Sequence, residues 1–219
     1  MSGYTGYLDP QTLGDDFLAT SFLVTQIINK LATTALVKVS AVTNAGGVSP
    51  VGTLDVIPMV HQVDGEGNPT EHAVIHNVPY FRLQGGTDAI ILDPKVGDIG
   101  IALFCSRDIS AVKRTKSPQL PASARKFAWS DALYIGGVLN GSPTQFVQFE
   151  SGGITVKSPT KITTIAPAIQ MTGDVTVDGK VTINGNVATT GTLTNNTKNV
   201  GSTHQHLASG GSGVGGIPV

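Results

Sequence analysis

Residues 173–196 read GDVTVD-GKVTIN-GNVATT-GTLTNN, four consecutive hexads that each open with glycine (Gly173, Gly179, Gly185, Gly191). Odd positions carry Val175, Val177, Val181, Ile183, Val187 and Leu193. Even positions carry Asp174, Thr176, Asp178, Lys180, Thr182, Asn184 and Asn186. Alternation at period 2 over this length specifies extended chain with one dry face and one wet face. A ribbon this short cannot enclose its own dry face, because single-chain solenoids need several stacked coils before an interior exists. Other chains must supply the missing walls, and a threefold bundle of identical ribbons is the simplest arrangement. The expectation is an oligomeric needle.

Outward from the hexads, the composition changes after Phe149. Residues 151–219 hold no aromatic side chain but contain 13 threonines and 12 glycines. Globular cores use aromatics to fill volume, whereas Thr and Val suit a thin pleated surface with little interior. The stretch Leu139-Asn140-Gly141-Ser142-Pro143 therefore marks the passage from a globular body to a fibre.

The body divides again. Residues 15–31 (DDFLATSFLVTQIINKL) are expected to be helical, with Asp15 and Asp16 suiting the start and Lys30 the end. Phe17, Val24, Ile28 and Leu31 form one stripe, while Leu18, Phe22, Leu23 and Ile27 spread apolar surface almost all round. Such a helix is expected to be buried, in its own domain or against another subunit or protein. Residues 35–138 read as a compact β-domain, with strands expected over 35–43, 52–61, 72–83, 89–92, 98–106 and 132–138. Turn chemistry separates them at Asp64-Gly65, Gly67-Asn68-Pro69, Gly85-Gly86 and Asp93-Pro94. Short strands in this number suggest a small barrel of the oligonucleotide/oligosaccharide-binding (OB) type. The segment 113–126 carries five basic residues and two prolines and reads as a solvated loop.

Charge narrows the function classes. The 219 residues carry a net charge of −1 and only 13% charged side chains, unlike proteins that grip nucleic acid by neutralising phosphates. The basic loop lacks the interleaved aromatics that would stack bases. The single cysteine, Cys105, excludes an intrachain disulfide, fits assembly in a reducing cytosol, and reads as a small buried hydrophobe in Ile101-Ala102-Leu103-Phe104-Cys105. No cleavable signal and no apolar run near the roughly 20 residues of a bilayer span are expected. No Ser/His/Asp or Cys/His constellation and no carboxylate pair stands out, so the chain is expected not to be an enzyme.

After the hexads, His204 and His206 lie two apart, which places them on one side of an extended chain. Val200 shares their parity, whereas the hexads place apolar residues at odd numbers. A one-residue register shift is therefore required around Leu193 to Val200, which Asn195-Asn196 could host as a bulge or a turn. If three chains meet on an axis, these two histidines contribute six converging imidazoles. Bound metal would relieve the cost of burying them. Six nitrogens disfavour tetrahedral structural zinc and suit iron or nickel, so one Fe(II) per trimer on the threefold axis is expected. His61, His72 and His76 are read as ordinary residues without a site.

The segments VIHNVPYFRLQGGTDAIILDPKVGDIGIALFCSRDIS (74–110) and DALYIGGVLNG (131–141) resemble the N-terminal domain of central spike proteins from contractile-tailed bacteriophages, and the terminal THQH followed by glycines resembles the apex of those spikes. The resemblance implies an all-β homotrimer. The N-terminal segment and helix, 1–34, would dock on the baseplate hub, an OB-fold collar would span 35–140, an intertwined β-helix shaft 141–199, and a metal-binding apex 200–219. It implies His204 and His206 as the ligands of an apical iron ion; the last residues, including Val214, Ile217, Pro218 and Val219, are in turn expected to fold over the ion as a blunt cap. It further implies a place in the virion at the tip of the tail baseplate, assembly in the host cytoplasm, and passage through the host outer membrane when the sheath contracts. Hub and tail-tube proteins would be the partners, with no nucleic acid. Some relatives carry a lysozyme domain, for which this chain has no room. Two other classes share features with the chain. A receptor-binding fibre or adhesin would be expected to end in a larger recognition head with aromatics, and a hexapeptide-repeat acyltransferase would need more coils and a nearby histidine base.

Overall fold

The computed structural model describes residues 16–64, 66–201 and 204, apart from the side chain of Asn199, and divides into two units, Met1–Pro159 and Thr160–Val219. It is mostly β with few helices. The first unit opens with α1 (Asp16–Asn29), followed by β1 (Thr34–Val42) and β2 (Thr53–Pro58). A small hairpin, β3 (Gln62–Val63) and β4 (Pro69–Thr70), leads to β5 (Ile75–Pro79). A second hairpin, β6 (Leu83–Gly85) and β7 (Asp88–Ile90), leads to β8 (Ile99–Phe104). Next come α2 (Ser110–Thr115), a single 3₁₀ turn at Trp129–Asp131, β9 (Ala132–Gly136), and a third hairpin, β10 (Phe146–Glu150) with β11 (Gly153–Lys157).

Five of these strands form one antiparallel sheet, in the order β5-β2-β1-β8-β9, curled into a half-barrel. Register shifts between Val39 and Ala41 and between Leu54 and Val56 supply the curl, since a bulge bends its strand and increases local twist. The curl brings the two edge strands together. Tyr80, just beyond β5, forms a parallel bridge with Tyr134 of β9, and the Phe81 amide donates to the Tyr134 carbonyl at 2.9 Å. Val37, Val39, Leu54, Val56, Val78, Ala102, Ala132 and Tyr134 fill the concave side. Gly100 is required there: a Cβ would lie 2.5 Å from the Ile135 carbonyl oxygen and 2.6 Å from the Tyr134 ring.

The expected strands 35–43, 52–61, 98–106 and 132–138 correspond to β1, which is shifted by one residue, and to β2, β8 and β9, which are shorter. The expected strand 72–83 is broken into β5 and β6. Pro79 offers no amide to extend the ladder, and Arg82 turns aside into a nearly buried ion pair. Its Nε and Nη2 donate to Asp93 at 3.0 and 2.7 Å and its Nη1 to the Ser49 carbonyl at 2.6 Å. The strand expected over 89–92 is β7, one arm of a hairpin.

The basic segment 113–126 is only partly the solvated loop expected of it. Arg114, Lys116 and Lys126 are exposed, but Arg125 turns inward. Its Nε donates to Asp131 Oδ2 at 2.7 Å, and its Nη2 donates to both Asp131 Oδ1 and Asp108 Oδ1. Both carboxylates are buried. Asp131 also accepts the Ile109 amide at 3.0 Å, and Asp108 accepts the Ser110 amide at 2.9 Å and the Ser123 hydroxyl at 2.7 Å. Hydrogen bonds from Ser110, with smaller help from Ser123 and the Arg125 charge, hold Asp108 well below the usual carboxylate range. The Arg125 hydrogen bond does the same for Asp131, against the opposing effect of burial. Cys105 is half-buried rather than fully buried, and desolvation pushes its thiol up.

The helix expected over 15–31 is present as α1, with Asp15 outside the described residues. Packing into its own domain was one of two expectations for it, yet none of its residues is buried. No described helix is long and apolar enough to cross a membrane.

Candidate functional site

The hexads supply the geometry on which any reading depends. From 161 to 192 no residue belongs to a helix or strand, and every residue is exposed. Among the described residues none in this stretch makes a backbone hydrogen bond. The chain is extended but periodically bent: at Pro167, Gly173, Asp178-Gly179, Asn184-Gly185 and Thr190-Gly191. Each glycine that opens a hexad sits at a bend. Gly173 has φ +115°, a conformation that a side chain would strain. The repeat also starts earlier than the glycines alone suggest. Pro167 stands six residues before Gly173 at an equivalent bend, so Lys161 and Pro167 open two further hexads, KITTIA and PAIQMT. The missed signal was the proline, which fixes a turn-compatible φ by a different route from glycine.

With those hexads included, Ile165, Ile169, Met171, Val175, Val177, Val181, Ile183 and Val187 belong to one apolar set, all exposed in the single chain. Val181 and Ile183, for example, are 60% and 58% exposed. Extended chain leaves its amides and carbonyls to be satisfied by water or by another strand. A run of dry side chains in water adds an unfavourable hydration term of about 25 cal/mol per Å² of apolar surface. Both deficits are removed by lateral pairing with further strands.

The register shift required between Leu193 and Val200 is resolved by a hairpin. β12 (Thr194–Asn195) pairs with β13 (Lys198–Asn199) in the register Thr194↔Asn199 and Asn195↔Lys198. Asn196 and Thr197 form the turn with φ of 48° and 66°, the signs of a type I′ turn. The Val200 amide then donates to the Leu193 carbonyl at 2.8 Å. Leu193 and Val200 thus stand opposite each other, and the change of parity comes from a reversal of chain direction rather than from a bulge.

His204 closes on Gly201. Its amide donates to the Gly201 carbonyl at 3.1 Å, and Nδ1 donates to the same oxygen at 2.6 Å. A carbonyl accepts only, so Nδ1 carries the proton in this contact. That contact is one by which metal-bound histidines are commonly held by a neighbouring carbonyl. His206 and the residues expected to close over the ion, Val214, Ile217, Pro218 and Val219, lie outside the described residues. Among the described residues no three His, Cys, Asp or Glu side chains cluster within one chain.

The other histidines serve the half-barrel. His72 lies 4.9 Å from the Trp129 ring centre, which in turn meets Phe104 edge-on at 4.8 Å. His76 Nδ1 lies 2.8 Å from Asp55 Oδ2, and the Asp55 carboxyl is lowered chiefly by that hydrogen bond. His61 is exposed. No protein-family model matches the chain, and no curated protein matches it to a significant degree.

Proposed function

We propose that this chain is the central spike of a contractile tail: a homotrimer that pierces the host outer membrane mechanically, without catalysis, when the sheath contracts. One observation carries the reading. Residues 161–192 are extended, bent at six-residue intervals, fully exposed and without backbone hydrogen bonds of their own. Three such ribbons wound about an axis would bury the valine and isoleucine set and pair the backbones. Closing the sheets around the axis also leaves no free edge. Cyclic threefold symmetry permits coaxial mounting on the hub and tail tube at the baseplate tip.

The half-barrel is read as an OB-type collar. Its order, β5-β2-β1-β8-β9 with a parallel contact at Tyr80 and Tyr134, is that of a five-stranded, partly open Greek-key barrel. At the other end, His204 and His206 of three copies would hold one Fe(II), whose part is to bind together chain ends that otherwise fray. The Nδ1–H of His204 on the Gly201 carbonyl supports that assignment, because metal-bound histidines commonly donate their other ring N–H to a backbone carbonyl.

Native mass measurement with elemental analysis tests the reading directly. Three chains and one iron are expected; a single chain in solution at micromolar concentration overturns it. In the double variant His204→Ala with His206→Ala, iron should vanish while three chains persist, and undiminished iron would remove these residues as ligands.

A further inference from the structure

The hexad junctions differ in one chemical respect. The residues ahead of the four glycines are Thr172, Asp178, Asn184 and Thr190, so only Asn184 sets a side-chain carboxamide beside a glycine amide. The chain bends at Asn184-Gly185, and both residues are exposed. Among the described residues, neither the Gly185 amide nor the Asn184 side chain makes a hydrogen bond. A Cβ at Gly185 would meet nothing within 4 Å, so the space around this residue is open.

A second Asn-Gly pair, Asn140-Gly141, stands just beyond β9 in a different setting. One residue holds its carboxamide at both ends. Asn140 Oδ1 accepts the Ile99 amide at 2.8 Å, and Nδ2 donates more weakly to the Ile99 carbonyl at 3.4 Å. The same carbonyl accepts the Val138 amide at 3.2 Å. Two contacts with a strand of the main sheet thus oppose rotation of the Asn140 side chain. The two pairs share a sequence and differ in freedom, and freedom decides an intramolecular reaction. Ring closure needs the glycine nitrogen about 3–3.5 Å from the asparagine Cγ in an aligned approach. Glycine has no Cβ to block that approach and lets the backbone rotate into it. At Asn184 no contact resists the rotation; at Asn140 the contacts with Ile99 must break first.

We infer that Asn184 is a site of spontaneous deamidation in the unassembled chain, and that Asn140 is not. The Gly185 nitrogen gives its proton to solvent hydroxide and attacks Cγ of Asn184. The new N–Cγ bond closes a five-membered succinimide. The Cγ–Nδ2 bond breaks, and the leaving nitrogen takes a proton from water and departs as ammonia. Water then opens the ring. Cleavage of the N–Cγ bond gives aspartate on the original backbone. Cleavage between the nitrogen and the backbone carbonyl carbon gives isoaspartate, whose main chain runs through Cβ and Cγ. Either product adds a negative charge to the wet face. Isoaspartate also inserts one carbon into the main chain between the second and third hexads, which offsets the alternation that a dry seam requires. Backbone pairing in the homotrimer proposed above would hold Gly185 and close the reaction, so the site records how long a chain has waited for its partners. That protection rests on the homotrimer; the contrast between Asn184 and Asn140 does not.

Peptide mapping of the full chain after incubation in mildly alkaline buffer tests it. Single chains are prepared in two ways, by dilution of the unaltered protein and by Val175→Asp with Val177→Asp, one hexad away from the site. Native mass measurement reports the state of each sample. In single chains the peptide holding Asn184 should gain about 1 Da, the exchange of NH for O, and split into two isomers. Its conversion should run about tenfold faster than that of the peptide holding Asn140. Hydroxylamine, which traps the succinimide, should cut the chain between 184 and 185. Gly185→Ala should slow the conversion about tenfold, because its Cβ crowds the attack. Equal rates at the two asparagines in both single-chain samples, or no effect of Gly185→Ala, overturns the inference. In three-chain samples conversion at Asn184 should fall about tenfold, and undiminished conversion there refutes the protection. Unaltered protein that stays a single chain at every concentration removes the homotrimer, while the rates at Asn184 and Asn140 still decide the deamidation.

Discussion

Asp108 and Asp131, 23 residues apart in sequence, converge on the guanidinium of Arg125, their side chains 1% and 0% exposed. One cation thereby fixes the long connection between β8 and β9. Arg125→Leu would leave two buried carboxylates facing each other without compensation. The expected loss is about 2–3 kcal/mol, less than the roughly 3–5 of a wholly buried pair because Arg125 remains 36% exposed. Urea unfolding followed by Trp129 fluorescence measures it.

The same cluster sets an acid limit. Both carboxylates have folded pKa values below their ordinary ones. The stability they contribute is therefore present above the unfolded carboxylate pKa, about 4, and is lost as pH falls through the lower folded values. Melting temperature should be flat from pH 7 to about pH 5 as far as this cluster is concerned and decline below about pH 4. Asp108→Asn should flatten that decline; an unchanged acid slope would show that Asp108 does not set it.

Thr197 occupies the second central position of a type I′ turn with φ +66°. A β-branched residue is poorly suited to that conformation, and Asn-Gly is the preferred pair for such a turn. Thr197→Gly should stabilise the hairpin by roughly 0.5–1 kcal/mol. Hydrogen exchange at the Val200 amide, which bonds to Leu193, should slow accordingly.

Val181→Asp with Ile183→Asp separates the single chain from the assembled one. In the single chain both positions are open to water, so the change would be nearly neutral. In a threefold bundle six carboxylates would be forced into a dry seam, at a cost of roughly 3 kcal/mol or more per copy. Loss of the trimer peak by native mass is expected, whereas Thr182→Asp on the wet face should retain it. Two intact trimers would refute the inward assignment.

The strands of the half-barrel were legible because each is bounded by turn residues and rich in β-branched side chains, whereas the order of the sheet was not, since β1 pairs with the distant β8 and a long connection separates β8 from β9. The broken strand at 79–83 was not legible, since the ion pair that breaks it joins Arg82 to Asp93 and to a carbonyl in a distant loop. Arg125 was hidden for a similar reason: its two carboxylate partners are remote from the basic run in which it sits. In the hexads, the valine alternation announced extended chain, but a search for glycine alone missed the two hexads opened by Lys161 and Pro167. Of the bulge or turn expected at Asn195-Asn196, the turn is what forms, one residue later at Asn196-Thr197, a place the sequence does not mark because Asn-Thr lacks the glycine that signals a type I′ turn. For His204 and His206, spacing gave a shared parity on an extended chain, while the Nδ1 contact of His204 depends on a carbonyl that only the folded backbone supplies.

A stretch that keeps none of its amide bonds to itself, as between 161 and 192, has no private folded state to return to after heating. In the proposed trimer, melting and separation of those residues would be one event, and any order they regain would be set by how often copies meet. Dilution should lower their midpoint, while the half-barrel, which owns its core, melts at a temperature indifferent to concentration.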